Sequence, residues 1–315
     1  MIKMELDAAG VRDPELREAY RQCRTINAQH GKTFYLATRL LAPKQRPAVH
    51  ALYGFARVAD DILDDLAGTA TIEQRAERLQ ELSTRLFSSL VDRQSCDGDP
   101  ILTAVVHTAR TYDIGWDLFD DFLAAMRMDL TVTDYPDRQS LDRYMHGSAE
   151  VIGLQMLPVL GTVVPREESA PYAAALGKAF QLTNFLRDVD EDLTRGRVYL
   201  PADELAAHGV DRELLSWCQA NRRTDGRVRA ALAEQHAIAR QVYDQARPGI
   251  ATLAPPSRPC VAAALTLYSD ILARIEAIDF EIFGRRATVG KPRRLAVAVA
   301  GIGKAWVNRV RLRRV

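Results

Sequence analysis

The sequence predicts an all-α protein. Apolar residues recur at intervals of three and four over nearly the whole 315-residue chain, while strand-like alternation and Asn-Gly or Asp-Gly hairpin signals are scarce. Pro and Gly fall between the periodic stretches. The periodicity predicts helices over 14–30 and 33–41, followed by Pro43. A helix over 45–66 comes next, with Pro47 in its first turn, where a missing N–H costs nothing, and Gly68 at its end. Helices over 72–92 and 100–112 are separated by Asp97-Gly98-Asp99-Pro100, and those over 116–132 and 138–160 by Pro136. Pro165 precedes a helix over 168–193, and Gly196 and Pro201 come before short helices over 202–207 and 211–221. A helix over 225–247 stops at Pro248, Pro255-Pro256 introduces one over 257–283, and the last spans 291–310. No composition shift or short repeat divides the chain, so residues 1–315 are expected to form a single domain.

Composition excludes several function classes. With 42 Lys+Arg against 41 Asp+Glu, the formal charge is +1, and no global field selects nucleic acid. The start Met1-Ile2-Lys3-Met4-Glu5-Leu6-Asp7 has no basic leader ahead of an apolar core, which reads as a cytoplasmic protein. Cys23, Cys96, Cys218 and Cys260 are scattered and read as reduced packing residues. The longest apolar run, Leu295 to Gly303, is too short to cross a bilayer. Beyond it a basic tail over 304–315, with Trp306, Arg309, Arg311, Arg313 and Arg314, offers a contact for anionic headgroups at the inner face of the membrane. A solvated tail is the alternative. No obligate protein partner is evident.

Two acidic clusters interrupt this pattern: Asp60-Asp61-Ile62-Leu63-Asp64-Asp65 and Asp188-Val189-Asp190-Glu191-Asp192. In each, two aspartates four apart stack on one helical face and repel. Mg²⁺, which commonly takes one or two carboxylates plus substrate phosphates, is the natural compensating ion, and Mn²⁺ is an alternative. Either cluster alone could be a solvated patch near a helix end. The Asp-x-Asp-x-Asp-Gly calcium loop is absent. Tyr53, Arg57, Asp60 and Asp64 form one stripe, with Val49, Ile62 and Leu66 expected on the opposite, packing face. Gly177, Gln181, Asn184, Asp188 and Asp192 form another, on a helix whose other sides carry Phe180, Leu182, Phe185, Leu186 and Val189. Such a polar column on an otherwise apolar helix is expected to face an enclosed cavity.

These residues resemble the squalene and phytoene synthase family of trans-isoprenoid diphosphate synthases, most closely the bacterial phytoene synthases. The likeness begins at His30-Gly31-Lys32-Thr33-Phe34-Tyr35, where Gly31 and Thr33 depart from the family's His-Ser-Lys-Ser-Phe. It runs through Leu52 to Asp64, Met126 to Leu130 and Tyr144 to Gly153, and is most specific at Gln181 to Asp192 followed by Gly196-Arg197-Val198-Tyr199-Leu200-Pro201. Tyr268 to Leu272 and Phe283-Gly284-Arg285-Arg286 resemble the family's closing helix.

The resemblance implies a helical bundle of the isoprenoid synthase type, with the clusters on opposite walls of a central cavity. It implies metal ligation by Asp60, Asp61, Asp64, Asn184, Asp188 and Asp192, and substrate contacts from Thr33, Phe34, Tyr53, Arg57, Gln181, Asn184, Arg187, Arg197 and Tyr199. The arginines' fork suits diphosphate oxygens, although ion pairs to neighbouring aspartates would use the same residues. Asp60, Asp64, Asp188 and Asp192 would trigger ionisation, and the hydroxyls of Tyr144 and Tyr268 would guide diphosphate or take part in proton loss. Phe34, Tyr53, Tyr144 and Tyr268 are the aromatics expected to face a passing cation, with core packing as their alternative role. Small Ala37 and Thr38 leave room for a long chain. The expected reaction is head-to-head condensation of two C20 geranylgeranyl diphosphates to phytoene through a cyclopropylcarbinyl diphosphate, with no NADPH required. The alternatives are a C15 enzyme making squalene, dehydrosqualene or presqualene diphosphate, a terpene cyclase, and a non-catalytic assembly factor.

Overall fold

A computed structural model describes residues 2–64, 70–96, 98–290, 292–293, 295–297 and 300–301, except for the side chain of Thr33. Among them extended pairing is confined to two single-residue bridges, Asp134 with Val198 and Thr162 with Leu253. The helices are α1 Ile2–Ala8, α2 Pro14–His30, α3 Lys32–Thr38, α4 Arg46–Asp64, α5 Ile72–Leu90, α6 Pro100–Tyr112, α7 Trp116–Met128 and α8 Arg138–Met145. They continue with α9 Val151–Leu160, α10 Arg166–Thr194, α11 Ala202–Ala207, α12 Arg212–Asn221, α13 Gly226–Ala246, α14 Gly249–Thr252 and α15 Arg258–Ala277. A 3₁₀ turn at Pro43–Gln45 leads into α4, and a π-helical turn at His146–Glu150 joins α8 to α9.

The helix starts follow local chemistry. The Asp13 carboxylate, ahead of Pro14, accepts from the Leu16 N–H, that of Asp99, ahead of Pro100, accepts from the Ile101 and Leu102 N–H groups, and Thr71 with Gln74 closes a reciprocal cap on α5. The 29-residue α10 runs through the centre and packs against α9, the π turn, α13, α14 and α15, while α4 packs against α2, α6, α7 and α9. Among the described residues, no helix is long and apolar enough to cross a membrane.

Several expectations need correcting. α1 and α14 were not expected, and the predicted 138–160 helix is broken by the π turn. The predicted 257–283 helix ends at Ala277, because Asp279 and Phe280 adopt left-handed backbone angles (φ 52° and 55°) and turn the chain back. Phe283-Gly284-Arg285-Arg286 therefore lies in a turn, not a helix. Val49 does not oppose Tyr53: a four-residue separation places the two on the same face, and both line the cavity. Leu66 and Gly68 fall outside the described residues, as do the basic tail and most of the predicted 291–310 helix.

Close packing around α10 depends on glycine. A Cβ on Gly153 would come within 2.2 Å of the Ala173 carbonyl oxygen, and one on Gly177 within 2.3 Å of that of Ala149. Backbone against backbone cannot yield cheaply. Gly153→Val is expected to lower the unfolding free energy by about 1–3 kcal/mol, read as a reduced urea midpoint at unchanged slope.

Candidate active site

α4 and α10 build the site in the same way. In each, apolar lining residues near the N-terminal end give way to paired carboxylates near the C-terminal end: Val49 and Leu52 lead to Asp60 and Asp64, and Tyr172 and Leu176 lead to Asp188 and Asp192. Asp192 lies in the last turn of α10, where the helix's partial negative charge makes a carboxylate doubly unfavourable without a cation. Between the two helices lies a cavity of about 530 Å³ lined by both stripes. Its mouth holds the four aspartates with Arg57, Arg187, Arg195 and Arg197, and its body is mostly apolar.

The arginines form a web over the carboxylates. Arg57 lies 3.5 Å from Asp60 and pairs closely with Asp61. Arg187 grips Asp188 through Nε at 2.8 Å and a second close contact, and Arg286 adds a bond of 2.9 Å from its own Nε to the same oxygen. Arg195 spans the mouth, 3.3 Å from Asp64 on one wall and 3.5 Å from Glu191 on the other. The carboxyl of Asp60 is 54% exposed, but that surface opens into the cavity mouth. Desolvation there, with the charge of Asp64, pushes it up to about 6. Desolvation and the charge of Asp188 push Asp192 up to about 7. Both pairs therefore remain short of positive charge despite the arginines.

Below the mouth, the Tyr144 hydroxyl donates to Asp129 Oδ2 at 2.7 Å and that of Tyr199 to Oδ1 at 3.1 Å, while Arg197 donates to the Asp129 carbonyl at 2.8 Å. Burial raises the Asp129 carboxyl, and the hydrogen bond from Tyr144 opposes the shift most strongly. Tyr144, Tyr199 and Phe185 stack on one another. Phe180 stacks on Tyr268 with centroids 4.2 Å apart, and Phe34 lies 6.1 Å from Tyr53. Burial raises the hydroxyls of Tyr53, to about 12, and of Tyr144 and Tyr268.

The cavity brings together Phe34, Tyr53, Arg57, Asp60, Asp64, Tyr144, Gln181, Asn184, Arg187, Asp188, Asp192, Arg197, Tyr199 and Tyr268. Asp61 is not among the lining residues; it sits beside the stripe, half-exposed and engaged with Arg57. The Thr33 side chain lies outside the described set. Asp190 serves structure instead, accepting from Gln219 and from the Gly284 N–H. Sequence reasoning missed Asp129, Arg195 and Arg286. Asp129 and Arg286 lie inside the segments that resemble the family but were given no role, and Arg195 lies two residues from Arg197.

Among the described residues no group of three or more His, Cys, Asp or Glu converges closely enough to cage a metal. The donors present, two separate carboxylate pairs and the Asn184 amide on the second, suit a hard ion that keeps waters and shares phosphate oxygens.

Comparison with known proteins agrees with this geometry. Residues 27–293 match the squalene/phytoene synthase family model. The chain is similar to the chloroplastic phytoene synthase of Daucus carota, with 37% identity over 93% of this chain and 72% of that one. It is also similar to the phytoene synthase of Arthrospira platensis, with 36% identity over 89% and 91%. A dehydrosqualene synthase crystal structure shares the fold, with TM-score 0.82 and 24% identity, covering 94% of this chain and 98% of that one. A squalene synthase from Alicyclobacillus acidocaldarius does too, with TM-score 0.76 and 24% identity, covering 87% and 98%. A helical cavity with one aspartate pair on each of two walls, matched over most of the chain by a single family model, places this protein in the squalene/phytoene synthase family.

Proposed function

We propose that this protein joins two geranylgeranyl diphosphates head to head, through a cyclopropylcarbinyl (prephytoene) diphosphate, to give phytoene and two diphosphates. The observation that carries this reading is one continuous cavity with both aspartate pairs at its mouth and an apolar, aromatic-lined body behind them. Asp60 and Asp64 on one wall, and Asn184, Asp188 and Asp192 on the other, would hold Mg²⁺ or Mn²⁺. When bound, such ions supply Lewis-acid stabilisation of the departing diphosphate. Arg57, Arg187, Arg195 and Arg197 exchange carboxylate oxygens for diphosphate oxygens and fix the leaving group in place. Phe34, Tyr53, Phe180 and Tyr268 present rings to the allylic cation and exclude water from it. The pathway ends in proton loss and so consumes no NADPH.

Cavity depth favours C20 over C15. Ser169, the first α10 residue to line the cavity, precedes Asp188 by 19 residues, which at a rise of about 1.5 Å per residue spans about 28 Å. An extended chain advances about 1.25 Å per bond, from carbon–carbon bonds of about 1.5 Å at tetrahedral angles, so a C20 chain spans about 19 Å and a C15 chain about 14 Å. That length accommodates the longer C20 chain together with its diphosphate. A competition assay with equal farnesyl and geranylgeranyl diphosphates, with and without NADPH, is expected to yield the C40 hydrocarbon in both conditions. Exclusive consumption of the C15 substrate would overturn the reading.

The raised carboxyls give this reading a pH signature. Asp60 and Asp192 hold protons in the folded state that the unfolded chain, at its ordinary value of 3.8, has already released. Their contribution to stability is thus present at low pH and falls as pH rises from about 4 through 7. Stabilisation by Mg²⁺ with inorganic diphosphate, read as a melting-temperature increase, is expected to be larger at pH 8 than at pH 6. An equal or smaller increase at pH 8 would contradict it.

A further inference from the structure

We infer that Glu5, on the N-terminal helix α1, is a positioning residue: through Arg24 and Arg46 it holds α3, the part of the cavity wall that carries Phe34, in place. The kinetic half of this inference rests on the proposed use of prenyl diphosphates. α3 needs outside support. It has seven residues, no side-chain hydrogen bond caps its start, and it packs chiefly against α2 and α15. An isolated helix of that length is unstable in water. Yet Phe34, Ala37 and Thr38 on one of its faces, and Leu41 just beyond it, line the cavity.

Two arginines hold α3 from outside the cavity. Arg24, on α2, donates to the Tyr35 hydroxyl and lies 5.4 Å from the centre of the same ring, which also stacks on His50. Arg46, at the start of α4, donates to the carbonyls of Arg39 at 2.8 Å and Leu41 at 3.0 Å, just past the end of α3. Glu5 pairs with both cations: its Oε1 is 2.8 Å from Arg46 and its Oε2 3.9 Å from Arg24. The Glu5 side chain is only 4% exposed, its Oε2 has no hydrogen-bond partner, and among the described residues it supplies the only carboxylate that pairs with either arginine. Burial and the fields of the same two arginines push His50 down to about 3, so it adds no third positive charge. Removing the carboxylate leaves two largely buried guanidinium groups close together with no counter-charge. They then repel and turn toward solvent, releasing Tyr35 and the two carbonyls. Asp7, on the same helix, pairs instead with Arg17 at 2.8 Å, and so ties α1 to α2 through a different arginine.

The test compares wild type, Glu5→Ala, Glu5→Gln and Asp7→Asn by amide hydrogen exchange over residues 32–41 and by steady-state kinetics with geranylgeranyl diphosphate. Thermal melts check folding, and exchange in α13, which packs against neither α1 nor α3, is the internal reference. Glu5→Ala is expected to speed exchange over 32–41 at least tenfold with α13 unchanged. It is also expected to raise KM at least fivefold while kcat falls less than threefold, because the paired aspartates sit on α4 and α10. Glu5→Gln, which keeps an acceptor for Arg46 but no charge, should fall between the two, and Asp7→Asn should match wild type. Exchange over 32–41 or a KM within twofold of wild type in Glu5→Ala would overturn the inference, as would an equal acceleration in α13 or in Asp7→Asn. Glu5→Gln decides it by the same criteria if the alanine variant does not fold. Absence of C20 turnover in wild type would instead sink the proposed function, and the exchange comparison then tests the hold on α3 by itself.

Discussion

Asp60→Asn and Asp188→Asn are each expected to lower kcat for product formation by about 10²–10³, with the fold intact. The magnitude follows from removing one preorganised electrostatic contributor at a centre where charge develops. Each substitution keeps the size of the side chain and removes half of a carboxylate pair that lines the mouth. Within each pair the carboxylates repel one another, and with desolvation this pushes Asp60 and Asp192 up to about 6 and 7. The Asp60→Asn variant should therefore melt at or above the wild-type temperature in EDTA, and both asparagine variants should lose the gain conferred by metal with diphosphate. Steady-state turnover and paired melts check both halves. Wild-type turnover in either variant would remove metal-assisted ionisation from the account.

Asp129→Ala is expected to lower the unfolding free energy by about 2–4 kcal/mol, because it leaves the Tyr144 and Tyr199 hydroxyls without their acceptor. Both tyrosines are buried, and the stack of Tyr144, Tyr199 and Phe185 is held in register by those two bonds. Loss of the acceptor frees two rings on the cavity wall, so turnover should fall along with stability. Asp129→Asn, which keeps an acceptor oxygen, should lose less of both. Urea unfolding of the two variants checks the order; a loss below about 1 kcal/mol for Asp129→Ala would show that the hydroxyls find other partners.

What could be read from the sequence was what is local along a helix. The column Gly177, Gln181, Asn184, Asp188 and Asp192 is fixed by 3.6-residue periodicity alone, and the structure turns all five toward one cavity. Contacts across the fold left no such trace. Arg195 reaches Asp64 across 131 positions, and Arg286 reaches Asp188 across 98. Arg286 can do so only because the left-handed pair Asp279 and Phe280 ends α15 early, and neither residue is the glycine that usually marks such a turn. Asp129 lay within a recognisable segment but has no carboxylate partner at helical spacing, so its role as acceptor for two distant tyrosines appeared only with the fold. The π turn at His146–Glu150, which packs between α7 and α10, carries Gly147, but a lone glycine within a periodic stretch did not mark a break there.

The most direct test of the central claim, that the two aspartate pairs are two walls of one metal–diphosphate site, is anomalous diffraction from crystals grown with Mn²⁺ and a non-hydrolysable C20 thiodiphosphate. The account predicts anomalous peaks between the diphosphate and both walls, with oxygens of Asp60 or Asp64 on one side and of Asn184, Asp188 or Asp192 on the other as ligands. A diphosphate bound away from these carboxylates, or peaks on neither wall, would contradict it.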